Sequence, residues 1–304
     1  MNQTKIDYVD QSWNYSTGCT NEFPCWKYCW ARRDANRLAH NPCVKHRERY
    51  EGFRPTFWPE RLDEPRQMKK PKRIAVSSMG DLFHSGVPEE WIDKGFAVMA
   101  VCPQHTFLVL TKRPERMAEY LNDADLEDRL DEICHEFPGA LDETWHYPAL
   151  WPLPNVWVGT SVSNQADADE RIPALMQCPG NLWVRYEPIQ GPVLFRREWL
   201  ERLGWVVAGG GPFPVHPNDV RSVRDQCVAA NVPFWWKQWG AFAPEDLCRM
   251  GSPAARDRVF QRALDIATRH RFDDGTNVYR IGRKAAGNLF DGREWHEVPN
   301  GVGG

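Results

Sequence analysis

The sequence lacks any apolar run long enough to cross a bilayer, and its first residues, MNQTKIDYVDQ, contain no basic stretch followed by an apolar one. It also lacks a strong net charge, because 38 basic and 41 acidic residues give a net charge of −3. The overall charge therefore indicates neither nucleic-acid binding nor membrane binding. Internal repeats and low-complexity segments are missing too, which excludes a repeat architecture. We therefore expect a globular, cytoplasmic protein with no membrane partner.

Nine cysteines are present, but an odd count in an intracellular protein argues against a disulfide framework. Some of these cysteines should therefore be metal ligands, and others ordinary core residues.

Short apolar runs with strand character alternate with helical patterns along most of the chain, which is typical of a parallel sheet covered by helices. The predicted strands are a short one near 10–15, then 74–78, 106–111, 156–161, 182–187, 205–209 and 233–238. Between them, Ile92, Phe96 and Met99 recur at helical spacing on one face, as do Val220, Val223 and Cys227. This pattern predicts an α/β fold, a partial or full (β/α) TIM-type barrel, with a doubly wound open sheet as the alternative.

The alternation also predicts the domain organisation. We expect residues 1–240 to form the barrel, with insertions near 47–72 and 123–154, the second of them containing an extra helix. Residues 241–304 should form a mostly helical C-terminal extension that packs on the barrel and closes with a hairpin around Asp291 and Gly292.

Polar residues follow nearly every predicted strand, at the end where active sites of parallel barrels gather. They are Ser78, Gly80 and Asp81 after the second strand, Lys112 and Arg113 after the third, Glu187 after the fifth, Gly209 and Gly210 after the sixth, and Lys237 and Gln238 after the seventh. As a set, these residues predict a functional site at the mouth of the barrel.

Cys19, Cys25 and Cys29 lie on one loop after the first predicted strand, in the spacing C-x5-C-x3-C. Soft thiolate ligands select zinc or an iron–sulfur cluster. A structural zinc site would need a fourth ligand, which Cys43, His40 or His46 could supply, whereas a [4Fe–4S] cluster on three cysteines leaves one iron open. A loop at the mouth of a barrel favours the cluster, because a structural zinc has no reason to lie at the catalytic end.

Many segments, in the same order, resemble a phage and prophage family of three-cysteine-motif proteins that is itself similar to radical S-adenosylmethionine (SAM) enzymes. The resemblance covers about residues 10 to 300. The segments are WNYSTGCTNEFPCWKYCWAR, SSMGDLFHSGVPEEWID, FAVMAVCPQHTFLVLTKRPERM, PNVWVGTSVSNQADADERIPAL, YEPIQGPV, WVVAGG, VRSVRDQCVAANVPFWWKQWG and IGRKAAGNLFDGREWHEVP.

The resemblance implies a partial TIM barrel that binds a [4Fe–4S] cluster through the three cysteines and cleaves SAM. It places Tyr28 at the aromatic position before the last cysteine, and Ser78, Gly80 and Asp81 near the methionine amino group. Glu187, Gly209 and Gly210 would line the ribose and adenine side. The cysteine spacing departs from the usual C-x3-C-x2-C, and Gly80-Asp81 only echoes the usual glycine-glycine-glutamate.

Some phage radical enzymes that resemble this family isomerise an N-linked glycyl-thymidine in DNA to the C-linked form, a DNA hypermodification that evades host restriction. The resemblance thus implies DNA carrying modified thymidine as partner, a flavodoxin or ferredoxin as electron donor, and a host-cytoplasm location. Lys112, Arg113, Lys237 and Gln238 would contact the substrate. Two basic runs, 45–49 and 69–73, and 15 tryptophans would suit DNA. The rivals are a zinc-stabilised nucleic-acid-binding or nuclease-partner protein and a SAM-dependent DNA-lesion lyase.

Overall fold

The computed structural model describes residues 2–4, 6–137, 151–245, 247 and 268–302. The strands are β1 (Asn2–Gln3), β2 (Gln11–Trp13), β3 (Ser16–Thr17), β4 (Thr56–Phe57), β5 (Arg73–Val76), β6 (Thr106–Thr111), β7 (Val156–Val162), β8 (Asn181–Tyr186), β9 (Leu203–Ala208), β10 (Phe234–Trp236), β11 (Phe242–Pro244), β12 (Thr268–Arg271) and β13 (Asn277–Arg280). The α-helices are α1 (Trp30–Ala39), α2 (Pro59–Leu62), α3 (Glu89–Ala100), α4 (Pro114–Leu121), α5 (Leu126–His135), α6 (Gln165–Leu175), α7 (Arg197–Leu200), α8 (Pro217–Ala229) and α9 (Arg283–Ala286).

Within the described residues, the large sheet has the strand order β1-β2-β5-β6-β7-β8-β9-β10. β1 pairs antiparallel with β2, whereas the pairings of β2 with β5, β5 with β6, β6 with β7, β8 with β9 and β9 with β10 are all parallel. The parallel strands lie side by side in chain order. In a doubly wound sheet, by contrast, the strand order reverses at one point. Since β1 and β10 end the sheet, the fold is a partial (β/α) TIM-type barrel, as the sequence predicts.

The predicted strands and helices agree with the observed ones to within a few residues. Helix α3 buries Ile92, Phe96 and Met99, and α8 buries Val220, Val223 and Cys227, the two faces that the periodicity predicts. The second predicted insertion contains helix α5, and its residues 138–150 lie outside the described part of the chain.

The chain divides into two compact units. The first comprises Met1–Thr160, Gln177–Asn181 and Asn300–Gly304, and the second comprises Ser161–Met176 and Leu182–Pro299. Six tryptophans, Trp13, Trp58, Trp183, Trp205, Trp236 and Trp239, are among the largest fully buried side chains. These tryptophans serve core packing rather than contact with a ligand. None of the helices in the described part of the chain combines the length and apolar character that a bilayer crossing requires.

The described part of the tail differs from the mostly helical extension that the sequence predicts. Strands β11, β13 and β12 form an antiparallel sheet, and α9 is four residues long. The expected hairpin is present, since Phe290 and Arg293 form an antiparallel bridge around Asp291 and Gly292, which both have positive φ. Such a turn matches the twist of paired strands. Residues 246 and 248–267 lie outside the described part of the chain, so the mostly helical character of 241–304 stays a prediction. The described strands were missed because short, exposed strands such as β12 carry charged residues and lack the apolar pattern of a buried strand.

Candidate functional site

The cysteine loop begins at a close approach between two stretches of main chain in the first unit. The Gly18 N–H donates to the Met79 carbonyl oxygen at 2.9 Å, and the Asp81 N–H donates to the Gly18 carbonyl oxygen at 3.3 Å. A Cβ on Gly80 would lie 2.8 Å from the Gly18 nitrogen, and Gly18 itself has φ +96°. Both positions therefore require glycine, which gives Gly80 a structural role.

The three cysteines of this loop are free thiols of intermediate exposure. The Cys19 N–H donates to the Phe53 carbonyl oxygen at 2.9 Å. Cys25 lies in a 3₁₀ helix, Pro24–Tyr28, which begins with a proline that favours helical φ. Cys29 is the N-cap of α1, and its Sγ accepts the Arg32 N–H at 3.4 Å. The thiols thus lie between two fixed points, the β3 end and the α1 start.

The chemistry of these thiols fits a soft metal centre, because none of the three is in a disulfide and all three are partly accessible. Among the described residues, no three His, Cys, Asp or Glu side chains are yet arranged to hold a metal ion, and this includes sets that add His40, Cys43 or His46. Cys43 itself is exposed.

Asp81 follows β5 and is almost completely engaged. Its Oδ1 accepts from the Phe83 N–H at 3.1 Å and the Thr111 hydroxyl at 2.6 Å, and its Oδ2 accepts from the Lys112 N–H at 3.2 Å and the Arg113 guanidinium at 2.8 Å. These bonds use the acceptor sites of an ionised carboxylate. Asp81 therefore joins the ends of β5 and β6.

Arg113 connects the same strand ends to the cysteine loop. Its guanidinium hydrogen-bonds Glu22 as well as Asp81, and it lies 5.0 Å from the ring centroid of Phe23. The Arg113 side chain is only 11% exposed, so water screens this pair of ion pairs weakly. Since Glu22 and Phe23 lie between the first two cysteines, Arg113 fixes the middle of the loop.

His84 supplies a second attachment. Its Nε2 lies 2.7 Å from the Thr20 hydroxyl and 3.3 Å from a Glu22 carboxylate oxygen, while its Nδ1 accepts the Gly86 N–H at 2.9 Å. Burial lowers the pKa of His84, and the nearby Arg113 charge lowers it further. A neutral ring with the proton on Nε2 satisfies these contacts.

Charges around the loop act in opposite directions on the first cysteine. Burial raises the pKa of the Cys19 thiol, Asp81 raises it further, and the positive charge of Arg113 opposes both. The Thr20 hydroxyl and Arg113 lower the pKa of Glu22 through their hydrogen bonds. The loop therefore carries an ionised acid next to its anchoring arginine.

The second unit has a polar cluster of its own at the ends of β8, β9 and β10. Lys237 Nζ lies 2.8 and 2.9 Å from the two carboxylate oxygens of Glu187, and Arg185 lies 3.8 Å from the same group. Burial raises the pKa of Glu187, but the charges of Lys237 and Arg185 outweigh it and the net shift is downward. The two residues that sequence analysis assigns to separate ligands thus form an ion pair.

Close packing requires glycine at position 210 and leaves little room for a side chain at position 209. A Cβ on Gly210 would lie 1.9 Å from the Trp239 carbonyl oxygen, and one on Gly209 would lie 3.3 Å from the Glu187 carboxylate. Gln238 uses its amide for main-chain contacts, since its Nε2 donates to the Gly210 oxygen at 3.2 Å and its Oε1 accepts the Gly240 N–H at 3.0 Å.

Of the remaining predicted residues, Tyr28 is partly buried at the end of the 3₁₀ helix, and the Ser78 hydroxyl donates to Asn14 Oδ1 at 3.2 Å. Thr20, Glu22 and His84 were not among the residues predicted from the sequence. Two signals were available, because an acid lies between the cysteines and a histidine follows Gly80-Asp81 closely in GDLFH.

The comparisons with known proteins give a family and a distant structural likeness. A solved structure of spore photoproduct lyase complexed with dinucleoside spore photoproduct is similar at a TM-score of 0.42 and 9% identity, over 92% of this chain and 70% of that one. A variant of that lyase with bound AdoMet and dinucleoside spore photoproduct gives a TM-score of 0.41 at 9% identity, with the same coverage. No curated protein matches this sequence significantly. The family described as "Protein of unknown function (DUF5131)" matches residues 3–299, nearly the whole chain, and the chain therefore belongs to that family.

Proposed function

We propose that this chain is a radical SAM enzyme that binds a [4Fe–4S] cluster through Cys19, Cys25 and Cys29. One observation carries the proposal: three free thiols share a loop at the carboxyl ends of β2, β5 and β6, and buried side chains fasten that loop to the strand ends. A loop that only connects two elements would not need such a network. When bound, such a cluster supplies the electron that cleaves SAM into a species able to take hydrogen from carbon.

The residues around the loop then have separable tasks. Burial and Asp81 raise the pKa of the Cys19 thiol, and the positive charge of Arg113 offsets part of that rise, which assists the thiolate form that binds metal. Asp81 already accepts four hydrogen bonds, so we assign it to positioning Arg113 rather than to direct contact with the SAM amino group. Tyr28, Ser78 and Gly80 remain the proposed cofactor contacts on this side.

In the second unit, Glu187, Gly209 and Gly210 are the proposed contacts for the ribose and adenine. Lys237 would pair with a substrate carboxylate, which must then compete with Glu187 for its ammonium group. Gln238 is held by main-chain groups of Gly210 and Gly240, so its contact with substrate would break two hydrogen bonds. Lys112, which directly follows β6, is a further proposed substrate contact.

For the substrate, we propose DNA carrying an N-linked glycyl-thymidine, which the enzyme converts to the C-linked isomer in the host cytoplasm, with a flavodoxin or ferredoxin as electron donor. The chemical support is a glycyl carboxylate that Lys237 could pair with and a DNA backbone that the basic runs 45–49 and 69–73 could contact. A lesion lyase would use the same cluster residues and differs only in its substrate.

The first experiment measures the metal. Protein purified without oxygen should be brown and contain iron and acid-labile sulfide, and Cys25→Ala should lose both together with SAM cleavage. Cys43→Ala is the matched control, because Cys43 is an exposed free cysteine outside the proposed set. If the unchanged protein contains zinc instead of iron, and both variants lose that zinc, the metal is held in a closed zinc site that includes Cys43. That result would refute the cluster.

The second experiment identifies the substrate. The reduced enzyme is incubated with SAM and either DNA containing N-linked glycyl-thymidine or DNA containing dimeric thymine lesions, and the digested nucleosides are identified by mass spectrometry and chromatography. An isomer of unchanged mass from the first DNA supports the isomerase. Restored thymidine from the second DNA alone would support the lyase instead.

A further inference from the structure

Behind the cysteine loop, the first unit contains a cavity of about 440 Å³ that none of the roles above uses. Its walls come from the loop, from α1 and from residues 50–53, the last part of the 3₁₀ segment Arg47–Phe53. The wall residues include Trp26, Arg32, Arg33, Asn36, His40 and Phe53. Its volume is within the range of about 300–1,000 Å³ that small-molecule sites usually have.

The cavity wall contains two arginines, Arg32 and Arg33, against one acid, and the segment around it is basic although the whole chain is not. Residues 26–54 contain eight Lys or Arg and three Asp or Glu, so their formal charge is 8 − 3 = +5, against −3 for the whole chain. The acidic wall residue is Glu51, which is exposed at the rim. The local field therefore attracts an anion.

Arg32 provides the most specific signal for a ligand. Its guanidinium lies 4.8 Å from the ring centroid of Trp26, and its Nε is buried without a hydrogen-bond partner among the described residues. A buried donor without an acceptor costs free energy, and an anionic oxygen in the cavity would remove that cost. Arginine stacked on an aromatic ring also keeps its hydrogen-bonding edge available for phosphate.

The other wall residues complete a site with one polar and one aromatic side. His40 Nδ1 lies 2.7 Å from the Asn36 carbonyl oxygen, which fixes the ring on the last turn of α1. Trp26 lies 6.1 Å from Phe53 between ring centroids, and Phe53 is held in a left-handed conformation at φ 52°. Binding sites for single-stranded nucleic acids combine phosphate contacts with aromatic side chains on which the bases stack.

We propose that this cavity binds one phosphorylated nucleoside, with Arg32, Arg33 and His40 on the phosphate and Trp26 beside the base. The source that the chemistry favours is a nucleotide of the DNA strand next to the modified thymidine, and this part rests on the proposed function. The cavity adjoins the cysteine loop through Trp26 itself, so a strand bound there would lie close to the proposed cluster.

The test measures binding rather than turnover, on the full chain purified anaerobically. Fluorescence anisotropy of a labelled single-stranded oligothymidine, and calorimetry with dTMP and with inorganic phosphate, give the affinities at one fixed salt concentration. Arg32→Gln should weaken binding of the oligonucleotide and dTMP roughly tenfold or more, since a charge-assisted hydrogen bond is lost. Arg37→Gln is the matched control, because Arg37 lies on the same helix, 67% exposed and 3.5 Å from Asp34, outside the cavity.

Each outcome of these binding measurements supports or overturns the nucleotide site. Weakening in Arg32→Gln with less than about a twofold change in Arg37→Gln supports the site. Equal weakening in both would mean general surface attraction and would overturn it, as would phosphate binding as tightly as dTMP. Binding of dTMP without the oligonucleotide would leave the nucleotide site and remove DNA as its source.

If Arg32→Gln does not fold by circular dichroism, the exposed Arg33→Gln gives the same reading. An Arg32 variant that keeps its nucleotide affinity but loses affinity for flavodoxin would reassign the cavity to an acidic protein partner. Iron content is measured on the same samples, so failure of the cluster proposal and failure of the nucleotide site are distinguishable.

Discussion

Replacing Asp81 by asparagine should destabilise the first unit more than any exposed charge change. The carboxylate is 9% exposed and accepts two bonds on each oxygen, including the main-chain N–H groups of Phe83 on Oδ1 and Lys112 on Oδ2. Whichever way the asparagine amide points, its NH₂ group meets one of these N–H donors. One main-chain donor is thus left unpaired, and Arg113, which is 11% exposed, keeps only Glu22 as a negatively charged partner.

The size of the loss follows from burial. Removing one partner of a buried ion pair typically costs about 3–5 kcal/mol, and because Arg113 keeps one carboxylate we expect about 3 kcal/mol here. With a urea m-value of about 3 kcal/mol/M for a chain of this size, the unfolding midpoint should fall by about 1 M.

Urea unfolding followed by circular dichroism measures this loss, with Asp63→Asn as the matched control. Asp63 also pairs with an arginine, Arg66 at 2.5 Å, but it is 49% exposed, so its loss should be about 1 kcal/mol or less. Equal, small losses in the two variants would refute the view that Asp81 ties the strand ends together.

Three further predictions concern other parts of the chain. Burial lowers the pKa of His105 below 6.5, so the contribution of its neutral ring to stability is complete above pH 6.5 and is lost as the pH falls below that value. In urea unfolding at several pH values, His105→Gln should therefore lose less stability on acidification than the unchanged protein, and an equal loss would contradict this. Gly210→Ala should unfold the second unit or lower its melting temperature by several degrees in calorimetry, because its Cβ would lie 1.9 Å from the Trp239 carbonyl oxygen, whereas an unchanged melting temperature would show that the chain relaxes there at little cost. Lys237→Met should cost about 3 kcal/mol in urea unfolding, because the buried Glu187 keeps only the more distant Arg185, 3.8 Å away, as a charged partner. Adding Glu187→Leu should restore most of this loss, and a double variant no better than the single one would argue against the pair.

The fold was largely predictable because most of the parallel strands are buried on both faces. The run TFLVLT of β6 is almost wholly buried, and such a run of β-branched and aromatic residues is recognisable without knowledge of its neighbours. The helices α3 and α8 were predictable from the spacing of their buried residues. The described strands of the tail were not predictable in this way, since β12 is mostly exposed and has no apolar period to read.

The candidate site was predictable as a set of positions but not as a set of contacts. Sequence order placed Asp81, Arg113, Glu187 and Lys237 at strand ends, and all four are there. It assigned them to ligands, however, whereas the structure pairs Asp81 with Arg113 and Glu187 with Lys237.

By itself, the sequence determined the alternation of strands and helices, the loop of three cysteines and the side of the sheet to which polar residues belong. These are properties of local periodicity and spacing. Only the tertiary structure decided that Arg113 reaches Glu22, 91 residues away, or that Trp26 and Arg32 line one cavity with Phe53. Partners this far apart are chosen by how neighbouring strands and loops pack, and a charge at a strand end looks the same in sequence whether it faces a ligand or its own counter-ion.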